Sequence, residues 1–162
     1  MSPHECLIAR LDAHGAAYRV IEHEAEGRSE VISQIRGNDP GQAMKAIVVS
    51  VRGGGQGRRH AMAVIPGNRR LDMKALLKVL GAQKGRFAPP EEAAELTGCV
   101  SGAIPPFCLE SDMALIVDEA FKAWEDVAFN AGRLDRSLFL KFADYRAIVN
   151  PAFAAISTDA NP

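Results

Sequence analysis

A chain of 162 residues, 48% hydrophobic and 24% charged, is long enough for one real core, and no apolar run approaches the roughly 18 residues needed to span a bilayer. Its three cysteines, Cys6, Cys99 and Cys108, are scattered and form no CxxC pair, which argues against a disulfide framework and a zinc knuckle. The net charge of −1 conceals a segregation: from Arg52 to Arg86 nine basic residues stand against the single acid Asp72, a local +8 that the remainder offsets with −9.

Such a segment either presents a positive patch to a polyanion or is neutralised in three dimensions by the acidic remainder. The opening "MSPHECLIARLDAHG" lacks the basic start and apolar core of a secretion signal, so a soluble, cytoplasmic protein without membrane attachment is expected. One domain is expected over residues 1–156, with a loose tail at 157–162.

In chain order, Ser2 and Pro3 open a helix whose stripe is Leu7, Ile8 and Leu11, with Gly15 as its stop. "AAYRVIEH" reads as a short strand. Ser29 then caps "EVISQIR", which Gly37 closes. In "QAMKAIVVSV" a two-residue period puts Lys45 on one face with Ile47, Val49 and Val51, and Met44, Ala46 and Val48 on the other. "RGGGQGRR" interrupts the pattern and "HAMAVIP" resumes it, which predicts a hairpin. "LDMKALLKVLG" is the clearest helix, capped by Asp72 and ended by Gly81, and "PPEEAAELTG" is a shorter one. "CVSGAIPPFC" is read as a strand running into a rigid turn, because Pro105 and Pro106 lack amide protons. "MALIVD", "VAFN" and "SLFLKF" complete the strands, with "AGRLD" as a turn and "ADYRAIVN" as a closing helix. The pattern predicts an α/β (α+β) fold: a mixed, largely antiparallel, partly barrel-like sheet with helices packed around it.

Several chemistries can be struck off. The glycine-rich stretch lacks GxxxxGK[ST] spacing and precedes a strand, so it is no P-loop. Ser101 in "GCVSG" is misplaced for GxSxG, and neither HExxH nor PCxxC occurs. His23 among Glu22, Glu24 and Glu26 is either a metal-holding cluster or, more simply, a solvated turn. What remains is Lys45, which either snorkels from its strand end or lines a pocket, together with "GAIPPF" and "FNAG". Glycine allows close backbone approach and proline holds a loop rigid, so Gly102, Pro105 and Pro106 can aim backbone dipoles at a substrate or merely join two strands. Asn130 is either a hydrogen-bonding group for a substrate amine or hydroxyl, or a turn former.

"AMKAIVV", "VIPGNRRLDMKALLKVLG", "LTGCVSGAIPPF" and "FNAGRLDRSLFL" are similar, in order and spacing, to the YbaK-like aminoacyl-tRNA editing domains, the group that includes the editing insertion of bacterial prolyl-tRNA synthetase. The resemblance implies hydrolysis of the ester joining a wrong amino acid to tRNA, most often tRNA for proline, without metal or cofactor. It assigns catalysis to Lys45 and to Gly102 and Pro106, the ends of a GxxxP loop, with Ala103, Ile104 and Asn130 lining the substrate pocket. Arg58, Arg59, Arg69, Arg70, Lys74 and Lys78 are then expected on acceptor-stem phosphates, and prolyl-tRNA synthetase is a further partner that the resemblance allows. Alanine-acting members carry histidine and proline where this chain has Asn130 and Ala131. Cysteine, serine, threonine or another small residue is therefore expected ahead of alanine. A module that binds tRNA ends or a nucleotide without turnover, and an esterase acting on small aminoacyl esters, are the competing readings.

Overall fold

The computed structural model describes residues 1–160. The chain runs α1 (Pro3–Ala13), β1 (Tyr18–Glu22), α2 (Ser29–Arg36), β2 (Met44–Arg52), β3 (Arg59–Pro66), β4 (Arg69–Leu71), α3 (Met73–Leu80), β5 (Lys84–Phe87) and α4 (Pro90–Thr97). It continues through β6 (Ala114–Asp118), β7 (Asp126–Arg133), β8 (Arg136–Lys141), α5 (Phe142–Val149), β9 (Ala152–Ala154) and β10 (Ser157–Asp159). Short 3-10 turns occupy Pro40–Gln42 and Glu119–Ala123.

The main sheet has the order β5-β2-β3-β6-β9, antiparallel at β5-β2-β3 and parallel at β3-β6-β9. An antiparallel sheet β1-β8-β7 meets it through the isolated bridge of Ala43 with Ala128, and β4 pairs β10. The sheets are mixed and mostly antiparallel, as the alternation of the strands implies, and the main sheet does not close into a barrel.

Both faces of the β2-β3 hairpin are buried, which explains its near-continuous apolar run. Met44, Val48, Met62 and Val64 join the first core with Leu7, Leu11, Phe107, Phe129, Leu138 and Tyr145. Val49, Val51, Ala61, Ala63 and Ile65 join a second core with Leu76, Ile116 and Ile156. The row headed by Lys45 thus belongs to the second core.

Ser2 and Asp72 cap α1 and α3 as the sequence implies, accepting from the Glu5 and Ala75 N–H groups at 3.1 Å. Ser29, read as a cap, is instead the first helical residue of α2; the preceding Arg28 N–H is taken by the Glu26 carboxylate at 2.8 Å. "CVSGAIPPFC" holds no strand. Two consecutive prolines cannot feed a ladder, so its backbone groups find partners individually: Ala103 O accepts from Gly132 N–H at 3.0 Å, and Pro106 O from the Tyr145 hydroxyl at 2.8 Å. The expectation of a loose tail from residue 157 also gives way. Ile156 is fully buried, β10 pairs β4, and Arg69 clasps Ser157 and Asp159, while residues 161–162 lie outside the described residues. Among the described residues no helix is long and apolar enough to cross a membrane.

Candidate active site

A cleft of about 260 Å³ opens where β2, α2, the Gly27 segment, the loop after α4 and β7 converge. Lys45, Gly102, Ile104 and Asn130, separated by up to 85 positions, share its wall with Arg36, Ser29 and Ser101. Ala103, assigned to the pocket by resemblance, and Pro106, assigned with Gly102 to catalysis, do not line it. Both are buried, and the loop is anchored through their carbonyls as described above. The loop therefore turns Ser101, Gly102 and Ile104 to the cleft, while Ala103, Ile104 and Phe107 pack into the first core.

Gly102 has φ +86°, a left-handed conformation that costs any side-chain-bearing residue, and a Cβ there would lie 2.7 Å from the Gly27 Cα. Two glycines packed back to back bring the walls of the cleft together. Asn130 locks them: its Nδ2 donates to Gly102 O at 2.7 Å and to Glu26 O at 3.1 Å. Its Oδ1 accepts from the Ser137 hydroxyl at 3.1 Å and from Arg36 Nη1 at 3.4 Å. Two carbonyls on one side and two donors on the other fix the amide's orientation and use its full hydrogen-bonding capacity. Asn130 is not a turn former, since β7 runs on to Arg133.

Lys45 is partly buried at the head of its apolar row, and its Nζ donates to Arg69 O at 3.0 Å. Burial pulls its pKa down, and Glu30 nearby partly opposes that. One of three ammonium protons is thereby engaged, which leaves two for a bound group. Arg36 is 8% exposed, and its pKa falls to about 10 through desolvation. Among the described residues, none that lines the cleft is a histidine, cysteine or carboxylate. The site offers two cations, two serine hydroxyls and backbone dipoles, a set suited to placing an ester and stabilising developing negative charge.

The basic segment divides. Arg59 bonds Gly53 O at 3.2 Å and Leu80 O at 3.0 Å and so ties the hairpin tip to the end of α3. Arg69 is held by Ser157 and Asp159, Arg70 reaches Thr158 at 3.4 Å, and Lys74 and Lys78 are exposed on α3. Arg58 bonds Ser50 at 2.7 Å and shares a groove with Arg52, Lys84 and Arg86, which the sequence reading did not single out as contacts. It also missed Arg36, although Arg36 lies four residues after buried Ile32 and so on the inward face of α2. His23 has both ring nitrogens engaged, by Glu24 O and the Ser137 hydroxyl, each at 2.7 Å. Cys99 and Cys108 do not line the cleft.

The model of the aminoacyl-tRNA editing domain matches residues 23–148. ProXp-y of Escherichia coli K12, a multifunctional Ser/Thr-tRNA deacylase, is 43% identical over 149 residues, 91% of this chain and 89% of that protein. The prolyl-tRNA editing protein ProX of Acetoanaerobium sticklandii is 23% identical over 153 residues, covering 92% of each. The solved structure of hypothetical protein APE2540 has the same fold, with a TM-score of 0.85 at 22% identity over 94% of this chain and 99% of that one. Every residue lining the cleft falls within the matched span, and this chain belongs to the aminoacyl-tRNA editing domain family.

Proposed function

We propose that this protein is an aminoacyl-tRNA deacylase that removes a small hydroxylated amino acid, serine or threonine, from mischarged tRNA, with tRNA for proline as the expected carrier. The observation that carries the reading is the meeting of Lys45, Arg36 and the Gly102 loop in one cleft of a chain 43% identical to a Ser/Thr-tRNA deacylase. The proline carrier rests on the resemblance of the four motifs and on the name of the A. sticklandii relative.

In this reading water attacks the ester carbonyl carbon, the bond from that carbon to the ribose oxygen breaks, and the water proton passes to the departing ribose oxygen. The products are a free amino acid and tRNA with its terminal hydroxyl restored. Lys45 supplies positive charge to the carbonyl oxygen as it becomes an oxyanion, held on line by Arg69 O. The rigid Gly102 backbone sets the other wall against which the aminoacyl group is placed. The groove of Arg52, Arg58, Lys84 and Arg86 suits the phosphates of the tRNA body.

The test is deacylation of tRNA for proline charged in turn with serine, threonine, cysteine, alanine and proline, using wild type beside Lys45→Ala. Hydrolysis of the seryl and threonyl esters, sparing the prolyl ester and falling roughly 100- to 1000-fold in Lys45→Ala, is the expected result. Silence across the panel with tRNA still bound would reject the deacylase on this carrier and favour a binding module.

A further inference from the structure

A guanidinium largely withdrawn from water without a counter-ion is costly, and proteins rarely keep one without use. Arg36 is in that position: it is 8% exposed, and among the described residues no carboxylate lies within 4.0 Å of it. Its donors are unequally spent. Nε bonds Asn38 Oδ1 at 2.9 Å, and Nη1 bonds the Ser137 hydroxyl at 3.2 Å and Asn130 Oδ1 at 3.4 Å. Nη2 bonds nothing among the described residues. No fully sealed polar side-chain atom is left without a partner among the described residues, so Nη2 keeps its residual exposure, and the cleft is the space that Arg36 lines.

Asn130 presents the opposite case. Its two N–H groups and both lone-pair sites are taken within the protein, so it has nothing left to offer a ligand without breaking the lock between Gly102 and Glu26. Of these two side chains, the one with free donor capacity toward the cleft is therefore Arg36. A guanidinium only donates, and it repels the ammonium of an aminoacyl group; it demands an acceptor oxygen. Serine differs from alanine, and threonine from its isostere valine, by one such oxygen.

Building on the deacylase reading, we propose that Arg36 Nη2 donates to the side-chain hydroxyl oxygen of the bound aminoacyl group and sets the preference for hydroxylated over apolar amino acids of similar size. Asn130 acts through it as a positioning residue that fixes the guanidinium and the Gly102 wall. A site built around a buried donor rejects the analogue lacking the acceptor, because the donor would then be left unpaired.

The experiment compares kcat/KM on tRNA for proline charged with serine and alanine, and with threonine and valine, for wild type, Arg36→Met and Arg36→Gln. Glutamine is neutral but keeps an amide toward Ser137 and Asn130, so it carries the test if the methionine variant does not fold. Wild type should favour each hydroxylated ester. Both variants should lose about 10- to 100-fold on the seryl and threonyl esters while the alanyl and valyl esters change less than about threefold. Asn130→Ala should lower the same serine-to-alanine ratio rather than only the melting temperature. Equal losses on all four esters would overturn the inference and move Arg36 to a phosphate or ribose contact, as would an unchanged ratio or a wild type without hydroxyl preference. A wild type that hydrolyses none of the esters would instead overturn the deacylase reading itself, and the inference with it.

Discussion

Replacing Gly102 by alanine tests whether the close approach of two backbones shapes the cleft. The added Cβ would meet the Gly27 Cα at 2.7 Å and the Gly27 O at 2.9 Å, and both are backbone atoms that cannot swing aside. Holding alanine at φ +86° costs about 1–2 kcal/mol, and stretching the 2.7 Å bond from Asn130 Nδ2 to Gly102 O costs about 0.5–1.5 kcal/mol. With the steric push added, the total is about 2–4 kcal/mol, a fall in melting temperature of roughly 5–15 °C for a chain of this size. Because relief of the clash parts the two walls, deacylation of the seryl ester should fall by about 100-fold or more even where the protein is folded. Gly57→Ala is the matched control: its backbone lies outside the left-handed region and its Cβ would meet nothing within 4 Å, so its stability should change by less than about 0.5 kcal/mol. Thermal melts and initial deacylation rates read both variants. If Gly102→Ala melts with the control and retains full activity, the close approach of Gly102 and Gly27 does not shape the cleft.

Ending the chain after Ile156 removes β10 and with it the Ser157 and Asp159 groups that hold Arg69, whose carbonyl accepts from Lys45. Such a variant should melt lower and lose kcat more than it gains KM, and an undiminished kcat would show that Lys45 does not depend on that anchor. The Cys99 thiol is pushed up to about 11, first by burial, so at pH 8 its thiolate fraction is about 100-fold below that of an ordinary thiol. Iodoacetamide should therefore label it at least about 100-fold more slowly in the native protein than in denaturant. As this folded-state pKa lies above the unfolded one, the group lowers stability as pH rises from about 9 toward 11, and the native protection is lost in the same window. Comparable native and denatured rates at pH 8 would contradict the burial of Cys99.

Elements whose signals are local are legible in the chain before it folds. The β2-β3 hairpin was legible in two apolar runs around a glycine tip, α3 in its spacing, its Asp72 cap and its Gly81 stop, and the mixed sheet in the alternation of strands and helices. The family was legible in four short segments held in order, which the match over residues 23–148 bears out. The oddity of Lys45 at the head of an apolar row was visible too, but not its bond to Arg69 O.

Short polar strands escaped that reading. "RRL", "KGRF" and "STD" in β4, β5 and β10 have no alternating apolar pattern because they lie at sheet edges, where charged residues discourage further pairing, and only their partners make them strands. Asn130 and Arg36 show the deeper limit. Periodicity tells which face of an element is buried, but whether a polar group there is free or spent depends on donors and acceptors brought in from elsewhere. Asn130 meets Arg36 across 94 positions and Glu26 across 104. Tertiary structure alone used up the amide of the one and left a single guanidinium nitrogen of the other without a partner among the described residues, because hydrogen-bonding capacity is a property of the folded neighbourhood rather than of the residue.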